Sequence, residues 1–323
     1  YQDMLSRIKE TDLSVPYRKD DYYYYSRTVE GQQYRIFCRK KGSLDAEEEI
    51  LLDLNTLAEG HDYLDLGVYK VSPDHQILAY SLDDDGSEEY TLYFKNLTTG
   101  ELSGEQIENT YYTLEWANDN TTVFYTTLDH IKRPDKMYRH RVGTNPADDA
   151  LVFEEKDEAY NVEPRKTKDN EYLLLHLESN VACEVYYLDA DHPEGEFRLL
   201  KPRKKEIEYN VYHHDGYFYI NTNDGALNFK VMRISDRNPS RGSWKTVIPS
   251  VDSVTIDGLE MFKDYMVVYE RINGLKQILV QRFKDNSEYY IEFPEAVYTC
   301  YGAENPEYNS DILRFKYTSL VTP

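Results

Sequence analysis

The feature that most constrains the fold is a repeated pair of short β-strands. One unit occupies residues 68–81 and consists of a first strand, a turn containing Pro73 and Asp74, and a second, apolar strand. Similar units begin near residues 111, 159, 207 and 256, which gives a repeat of roughly 43–49 residues. A β-propeller blade of four strands has about this length. The repeat therefore predicts an all-β propeller.

The number of repeats predicts the number of blades. An earlier unit runs from about residue 22 to residue 54, and a last unit begins near residue 296. This last unit contains only two strand-like stretches, at residues 297–301 and 311–317. The sequence thus predicts a seven-bladed β-propeller with an incomplete last blade. Five regular blades or a β-sandwich fit this count less well.

Each repeat continues with stretches that fit a third and often a fourth strand, because apolar and polar residues alternate in them. The third-strand candidates lie at residues 90–97, 136–142, 183–188, 228–234 and 277–283. The fourth-strand candidates lie at residues 150–153, 197–200, 244–248 and 289–293. Asp-Gly and Asn-Gly pairs such as Asp215-Gly216 and Asn273-Gly274 are typical of the tight hairpin turns between strands.

The first residues do not follow the repeat. Met4, Leu5 and Ile8 have helical spacing and precede Pro16. We therefore expect a short N-terminal helix or arm over residues 1–15 and the propeller over residues 16–323. A disordered end is the alternative for the first segment.

Composition excludes several functional classes. There are 37 Lys and Arg against 59 Asp and Glu, so the net charge is −22, which argues against nucleic-acid binding. No run approaches 18 apolar residues, and no secretory signal pattern opens the chain, so we expect no membrane partner and a cytoplasmic location. Cys38, Cys183 and Cys300 are far apart, which favours three buried free thiols.

A search for catalytic and metal-binding motifs finds none. Gly100 and Gly104 are four residues apart, but Ser103 lies one place too late for a Gly-x-Ser-x-Gly nucleophile elbow. Phosphate-binding glycine motifs and the His-Glu-x-x-His zinc motif are also missing. We expect His213 and His214 to lie in a solvated turn rather than at a metal. The sequence predicts no cofactor, no metal site and no catalytic residue within this chain.

Several segments together resemble the propeller of the prolyl oligopeptidase family of serine peptidases, and most closely that of oligopeptidase B. These segments are residues 34–43, 60–63, 71–74, 78–81, 114–117 and 132–144, which read YRIFCRKKGS, GHDY, VSPD, LAYS, LEWA and KRPDKMYRHRVGT. The resemblance extends over essentially the whole chain.

The resemblance implies a function for the chain as part of an enzyme. In this family the propeller covers an α/β-hydrolase domain that follows it in the same polypeptide and carries a Ser-Asp-His triad. The propeller admits only short peptides, and oligopeptidase B-type enzymes cleave them after basic residues. The family's pattern also places two propeller residues in the wall of a substrate pocket. The matching positions here are Tyr111, five residues before Trp116, and Asn161, where the family has an apolar residue.

Two readings of the function stay open at this point. In the first, the chain is the gating domain of a serine oligopeptidase, with the hydrolase domain and short basic peptides as its partners. In the second, it is an independent scaffold that binds other proteins with the faces of the propeller. A glycosidase-type propeller fits less well, because it requires paired carboxylates on inner strands, whereas the acidic residues here lie mostly in loops.

Overall fold

The computed structural model describes residues 2–5, 7, 9–239 and 243–322. The chain forms two compact units. The first consists of Tyr1–Tyr112 with Val142–Asp148, and the second of Thr113–Arg141 with Asp149–Pro323. A short helix α1 spans Gln2–Leu5, while Ile8, the third residue of the expected helical pattern, lies outside the described residues.

The first unit contains two antiparallel strand sets. The first set is β1 (Tyr17–Lys19), β2 (Tyr22–Arg27), β3 (Ile36–Lys41) and β4 (Glu49–Asp53), paired in chain order. A short helix α2 (Leu54–Leu57) follows and is capped by the Asp53 carboxylate, which accepts the Asn55 N–H. The second set is β5 (Asp65–Val71), β6 (Ile77–Asp83), β7 (Tyr90–Asn96) and the first part of β8 (Ile107–Trp116).

The second unit continues the same pattern from the last part of β8. It contains a set of β9 (Thr122–Leu128), β10 (Pro134–Arg141) and β11 (Ala150–Glu154), followed by one four-stranded sheet of β12 (Asn161–Lys166), β13 (Tyr172–Glu178), β14 (Cys183–Asp189) and β15 (Arg198–Lys201). The next sheet is β16 (Tyr209–His214), β17 (Tyr217–Thr222), β18 (Lys230–Ser235) and β19 (Lys245–Ile248). A further sheet is β20 (Val254–Met261), β21 (Tyr265–Ile272), β22 (Leu275–Arg282) and β23 (Glu288–Tyr290), and the hairpin of β24 (Tyr298–Gly302) and β25 (Phe315–Ser319) follows it. A 3₁₀ turn, Pro146–Asp148, belongs to the first unit.

The predicted repeat starts near residues 68, 159, 207 and 256 lie within three residues of the first residues of β5, β12, β16 and β20, whereas the start near residue 111 falls inside β8. The first repeat is shifted by one strand. There the strand that begins at Tyr22 is the second of its sheet, because β1 precedes it. Three residues are too few to show an alternating pattern, so the sequence gives no signal for β1. In the last hairpin, β24 begins one residue later than expected and β25 begins four residues later.

The tight turns have the backbone that their residues favour. Asn273 and Gly274 both have positive φ, at 52° and 81°, and connect the paired residues Ile272 and Leu275. A two-residue hairpin turn with positive φ at both positions suits Asn-Gly, because glycine has no Cβ and asparagine tolerates this conformation.

Apolar side chains fill the spaces between neighbouring sheets of the second unit. Along β13, Leu173, Leu175 and Leu177 pack on the side of Phe124 and Met137. Leu174 packs on the opposite side, in a cluster that includes Val211, Phe218 and Ile234. His176 follows Leu174 by two residues and therefore shares its face of the strand. Cys38, Cys183 and Cys300 are buried free thiols, as predicted.

None of the helices within the described residues is long and apolar enough to cross a membrane.

Candidate functional site

The first residue that the sequence places in a pocket wall, Tyr111, lies in an aromatic patch of the first unit. Its ring packs on that of Tyr112 with centroids 3.8 Å apart, and the two hydroxyls are hydrogen-bonded. Tyr112 is half exposed and meets the ring of Tyr90 edge-on. The patch presents apolar ring surface, and the role of Tyr111 in a substrate pocket stays a prediction.

The second predicted residue, Asn161, is the exposed first residue of β12 in the second unit. It pairs with Glu178 of β13. Asn161 belongs to the second unit, whereas Tyr111 belongs to the first. The side chains at 161, 163 and 165 share one face of β12, because successive residues of a strand point to opposite faces. The polar face of β12 thus leads from Asn161 to Glu163 and Arg165.

Arg165 lines a cavity of about 240 Å³ in the second unit, which we call the polar cavity. The cavity lies between the first strands of three successive sheets, β12, β16 and β20, together with part of β13. Its wall includes charged, polar and apolar side chains, among them Arg165, Lys168, His176, Tyr212, Leu259 and Glu260. A cavity with several convergent polar groups is the usual form of a small-molecule site.

His176 is the most unusual group in this wall. It is 2% exposed, and its Nε2 atom has no hydrogen-bond partner among the residues that the structure describes. Burial holds the pKa of His176 well below its usual value, and the positive charge of Arg165 acts in the same direction. The imidazole is therefore neutral at pH 7, and it brings an unsatisfied polar atom into the wall. Such an atom costs stability unless a ligand or water satisfies it.

We expect His176→Leu to raise the free energy of unfolding by about 1–2 kcal/mol near pH 7, because it removes a buried polar atom that has no partner. Leucine fits the site because Leu174 already packs on this face of β13. Urea unfolding monitored by circular dichroism measures the change. The exposed His192 is the matched control, and His192→Leu should leave the stability within about 0.5 kcal/mol of the parent. A lower stability for His176→Leu would contradict the prediction.

Two further polar groups of the wall are held in place by hydrogen bonds. The Nη2 atom of Arg165 donates to Glu163 at 2.8 Å and to Glu178 at 3.3 Å. The hydroxyl of Tyr212 accepts the backbone N–H of Leu259 at 3.2 Å. Burial raises the pKa of Tyr212, so this hydroxyl keeps its proton.

An ion pair crosses one side of the cavity. Lys168, in the turn between β12 and β13, donates to Glu260 of β20 at 2.7 Å and lies 3.3 Å from the ring centroid of Phe262. Burial lowers the pKa of Lys168, although Glu260 opposes this shift. Glu260 also accepts hydrogen bonds from Tyr269 at 2.7 Å and Asn305 at 3.3 Å. The pair joins two sheets that are not neighbours in the chain.

A second cavity, of about 880 Å³, lies beside the turns that follow β12 and β16. Among its charged side chains the carboxylates of Asp169, Glu171, Asp215, Asp236 and Asp264 outnumber the basic groups, which are Lys263, Lys284 and His213, the last bound to Asp169 and Asp236. A surface with this excess of negative charge attracts cationic ligands at long range. We call it the acidic groove.

The expectation of a solvated turn at His213 and His214 is wrong, because both side chains are buried at the end of β16. Nδ1 of His213 lies 2.6 Å from Asp169, and its Nε2 lies 3.3 Å from Asp236. His214 bonds the hydroxyl of Tyr308 at 2.6 Å instead. The adjacent Asp215-Gly216 pair predicts a solvent-exposed turn. The partners that bury the two histidine rings come from distant parts of the chain, so this local pattern does not indicate them.

Several of the remaining reactive groups are buried or paired. Burial raises the pKa of Cys38 to about 11 and that of Cys183 to about 12, so neither thiol is a thiolate nucleophile at pH 7. His75 and His140 pair with the carboxylates of Asp20 and Asp149, respectively. Within the described ranges no group of three or more His, Cys, Asp or Glu residues is arranged to hold a metal ion.

Sequence reasoning missed the wall residues Arg165, His176 and Tyr212 and the pair Lys168–Glu260. The alternation of Asn161, Glu163 and Arg165 along a predicted inner strand was available as a signal, because it marks one polar face. His176 carried a weaker signal, as a single polar residue in the apolar run of residues 172–177. The Lys168–Glu260 pair joins residues 92 positions apart, and no local pattern indicates it.

Comparison with known proteins relates the whole chain to one family. The family model described as "Prolyl oligopeptidase, N-terminal beta-propeller domain" matches residues 1–323. Dipeptidyl aminopeptidase BI of Pseudoxanthomonas mexicana is 36% identical over 340 residues, and Protease 2 of Moraxella lacunata is 34% identical over 330 residues. Each alignment covers 100% of this chain and 47% of the relative, so the chain spans about half the length of these proteins.

Solved structures of the family have the same fold. Oligopeptidase B from Leishmania major matches with a TM-score of 0.93 and 29% identity, covering 100% of this chain and 47% of that one. Oligopeptidase B from Trypanosoma brucei, with covalently bound antipain, matches with a TM-score of 0.91 and 30% identity over the same shares. The propeller fold predicted from the repeats and the resemblance to oligopeptidase B are both confirmed. The chain therefore belongs to the prolyl oligopeptidase family, and its 323 residues form the N-terminal β-propeller domain of that family.

Proposed function

We propose that this chain is the propeller half of a two-domain serine oligopeptidase. One observation carries the proposal. The whole chain, residues 1–323, aligns with about 47% of the length of each of two relatives that are named as peptidases. The remaining half of such a protein is the α/β-hydrolase domain with the Ser-Asp-His triad. In this proposal the hydrolase domain is the partner of the propeller in one cytoplasmic polypeptide.

The role of the propeller is to limit what reaches the triad. A rigid set of sheets in front of the active site excludes folded proteins and admits short, flexible peptides. The buried contacts between successive sheets support such rigidity, because packed sheets deform little. Tyr111 and Asn161 are proposed to line the path of the substrate.

Cleavage after basic residues is supported by the charge of the chain. The net charge is −22, and the acidic groove concentrates part of it on one surface. A negative surface increases the local concentration of Arg- and Lys-containing peptides and their rate of encounter with the protein.

The first test compares this chain with the full-length natural protein that contains it. We expect the full-length protein to hydrolyse a fluorogenic peptide with Arg before the scissile bond, and the purified 323-residue chain not to do so. Without a nucleophile elbow, acyl transfer has no activated serine. A serine-directed phosphonate distinguishes genuine turnover from contamination. Phosphonate-sensitive turnover by the short chain, or no peptidase activity in the full-length protein, would refute the proposal.

The second test measures the contribution of charge. In the full-length protein, kcat/KM for an Arg-rich peptide should fall more steeply with added NaCl than kcat/KM for a neutral peptide. Salt at physiological strength screens charges over about 8 Å. The double variant Asp215→Asn and Asp264→Asn, in the acidic groove, should reduce this salt dependence.

The matched control for the salt test is the exposed Asp252, which lies outside the acidic groove. Asp252→Asn removes one charge and should leave the salt dependence unchanged. Equal salt dependence for the Arg-rich and neutral peptides would show that the charge serves solubility rather than substrate attraction.

A further inference from the structure

The polar cavity between β12, β16 and β20 is lined by basic as well as apolar side chains. Lys168 is paired there with Glu260, and the Nζ atom of Lys166 donates to Asn118, so Arg165 is the cation whose donors remain available. We propose that this cavity binds a small carboxylate that carries a short apolar group. The proposal does not depend on the peptidase function.

The wall offers hydrogen-bond donors that the protein leaves unused. Arg165 donates to Glu163 and Glu178 only through Nη2, and within the described residues its Nε and Nη1 groups have no acceptor. The Tyr212 hydroxyl accepts from Leu259 N–H, while its own proton has no acceptor there. An anion with two oxygens can accept hydrogen bonds from both side chains.

His176 is a second, independent indication of a ligand. Its side chain is nearly fully buried and lines this cavity, and its Nε2 has no partner among the described residues. Because a neutral imidazole can donate through one nitrogen, the ring can adapt its tautomer to an acceptor. Buried polar atoms without a partner are rare in folded proteins, and a bound water or ligand is one explanation for them.

The nearby carboxylates do not block an anion. Glu260 is neutralised by Lys168 at 2.7 Å and accepts further hydrogen bonds from Tyr269 and Asn305. Glu163 and Glu178 are outside the wall and share the Nη2 group of Arg165. The bonds to Glu163 and Glu178 use only Nη2, so the Nε and Nη1 groups of Arg165 remain as donors for an anion.

The size and the apolar part of the wall restrict the rest of the ligand. Leu174, Val211, Leu259 and Met261 line the cavity beside the polar groups. A volume of about 240 Å³ accommodates a branched aliphatic group of a few carbons next to the carboxylate. Two sources share this chemistry: a free short-chain acid, and the carboxyl terminus of a peptide that ends in an aliphatic residue.

Isothermal titration calorimetry on the full-length natural protein tests the proposal and separates the two sources. The probes are 4-methylvalerate, N-acetyl-Gly-Leu with a free carboxylate, and the amide of the same peptide. We expect at least one carboxylate to bind at least tenfold more tightly than the amide. Binding of 4-methylvalerate alone identifies a free acid as the ligand, whereas binding of N-acetyl-Gly-Leu identifies a peptide terminus.

Two variants locate the binding. Tyr212→Phe removes only the hydroxyl, and His176→Leu removes the imidazole while keeping a side chain of similar size. Each should weaken carboxylate binding at least fivefold, whereas Tyr289→Phe, a control at the half-exposed tyrosine of β23, should not. Equal affinity for acid and amide, absence of binding for both acids, or unchanged affinity in both cavity variants would overturn the proposal.

Discussion

Replacing Arg133 by methionine should lower the free energy of unfolding by about 3–5 kcal/mol, because Arg133 is a buried cation with four separate acceptors. Its Nε lies 3.0 Å from the Asp129 carboxylate. Its Nη1 donates to the backbone oxygens of Tyr160 and Asp157, and its Nη2 donates to that of Glu155. Methionine fills a similar volume, but the Asp129 carboxylate loses its ion pair and the backbone oxygens of Tyr160 and Glu155 lose the Arg133 donor, while that of Asp157 keeps the Tyr160 N–H at 3.1 Å.

The measurement is urea unfolding at pH 7, with Arg271→Met as the control. Arg271 also pairs with a carboxylate, that of Asp257, but its side chain is 51% exposed, so its loss should cost less than about 1 kcal/mol. Similar losses for the two variants would show that burial does not decide the effect. Arg133 lies in the segment of residues 132–144 that resembles the family, so this segment carries a structural anchor.

The second large effect is expected at His213, whose contribution to stability should depend on pH. Burial by itself lowers the pKa of His213, but the hydrogen bonds and charges of Asp169 and Asp236 outweigh it, so the pKa is raised. Tyr172 also donates to Asp236, and His214 is the neighbouring ring. The protonated imidazole therefore stabilises the fold.

The sign of the pH dependence follows from the raised pKa. The stabilisation by His213 is complete below the unfolded pKa of about 6.5 and is lost as the pH rises through the folded pKa. We expect His213→Gln to cost about 2–4 kcal/mol at pH 6, since Asp169 and Asp236 lose their cation. The cost should be smaller at pH 9.

Urea unfolding of the parent and of His213→Gln at pH 6 and pH 9 measures this difference. The matched control is His192→Gln at an exposed histidine, and it should be neutral at both pH values. A cost that is the same at pH 6 and pH 9 would contradict the role of the imidazolium.

The architecture could be predicted because it depends on local patterns that recur. Alternating strands and Gly-containing turns at a fixed spacing predicted the sheets from residue 65 onwards within a few residues. The sequence indicated no separate fourth strand between β7 and β9. The reason is that β8 pairs with β7 at one end and lies beside β9 at the other. Its residues Ile107 and Thr110 pair with β7, and Thr113 further along contacts Thr126 of β9 at 2.8 Å. A strand with two roles has no second set of turn residues to mark it.

The candidate site could be predicted only in small part. Asn161 lies on the strand that leads to the polar cavity, so the position was informative even though its proposed role was drawn from a resemblance. The cavity itself depends on which side chains meet across β12, β16 and β20. Those contacts join residues such as Tyr212 and Leu259, 47 positions apart, and Lys168 and Glu260, 92 positions apart, and strand periodicity carries no information about them.

The ion pair of Lys168 and Glu260 has a consequence for how the second unit opens. In a repeat protein whose modules touch only their immediate neighbours, each module can unfold with a cost set by two interfaces. Lys168 instead spans the intervening sheet of β16–β19 and holds the sheet beyond it. Opening the β16–β19 sheet alone therefore also strains the Lys168–Glu260 pair, although this pair is not part of either interface of that sheet. The ion pair thus raises the free-energy cost of opening the middle sheet by itself relative to opening the three sheets together.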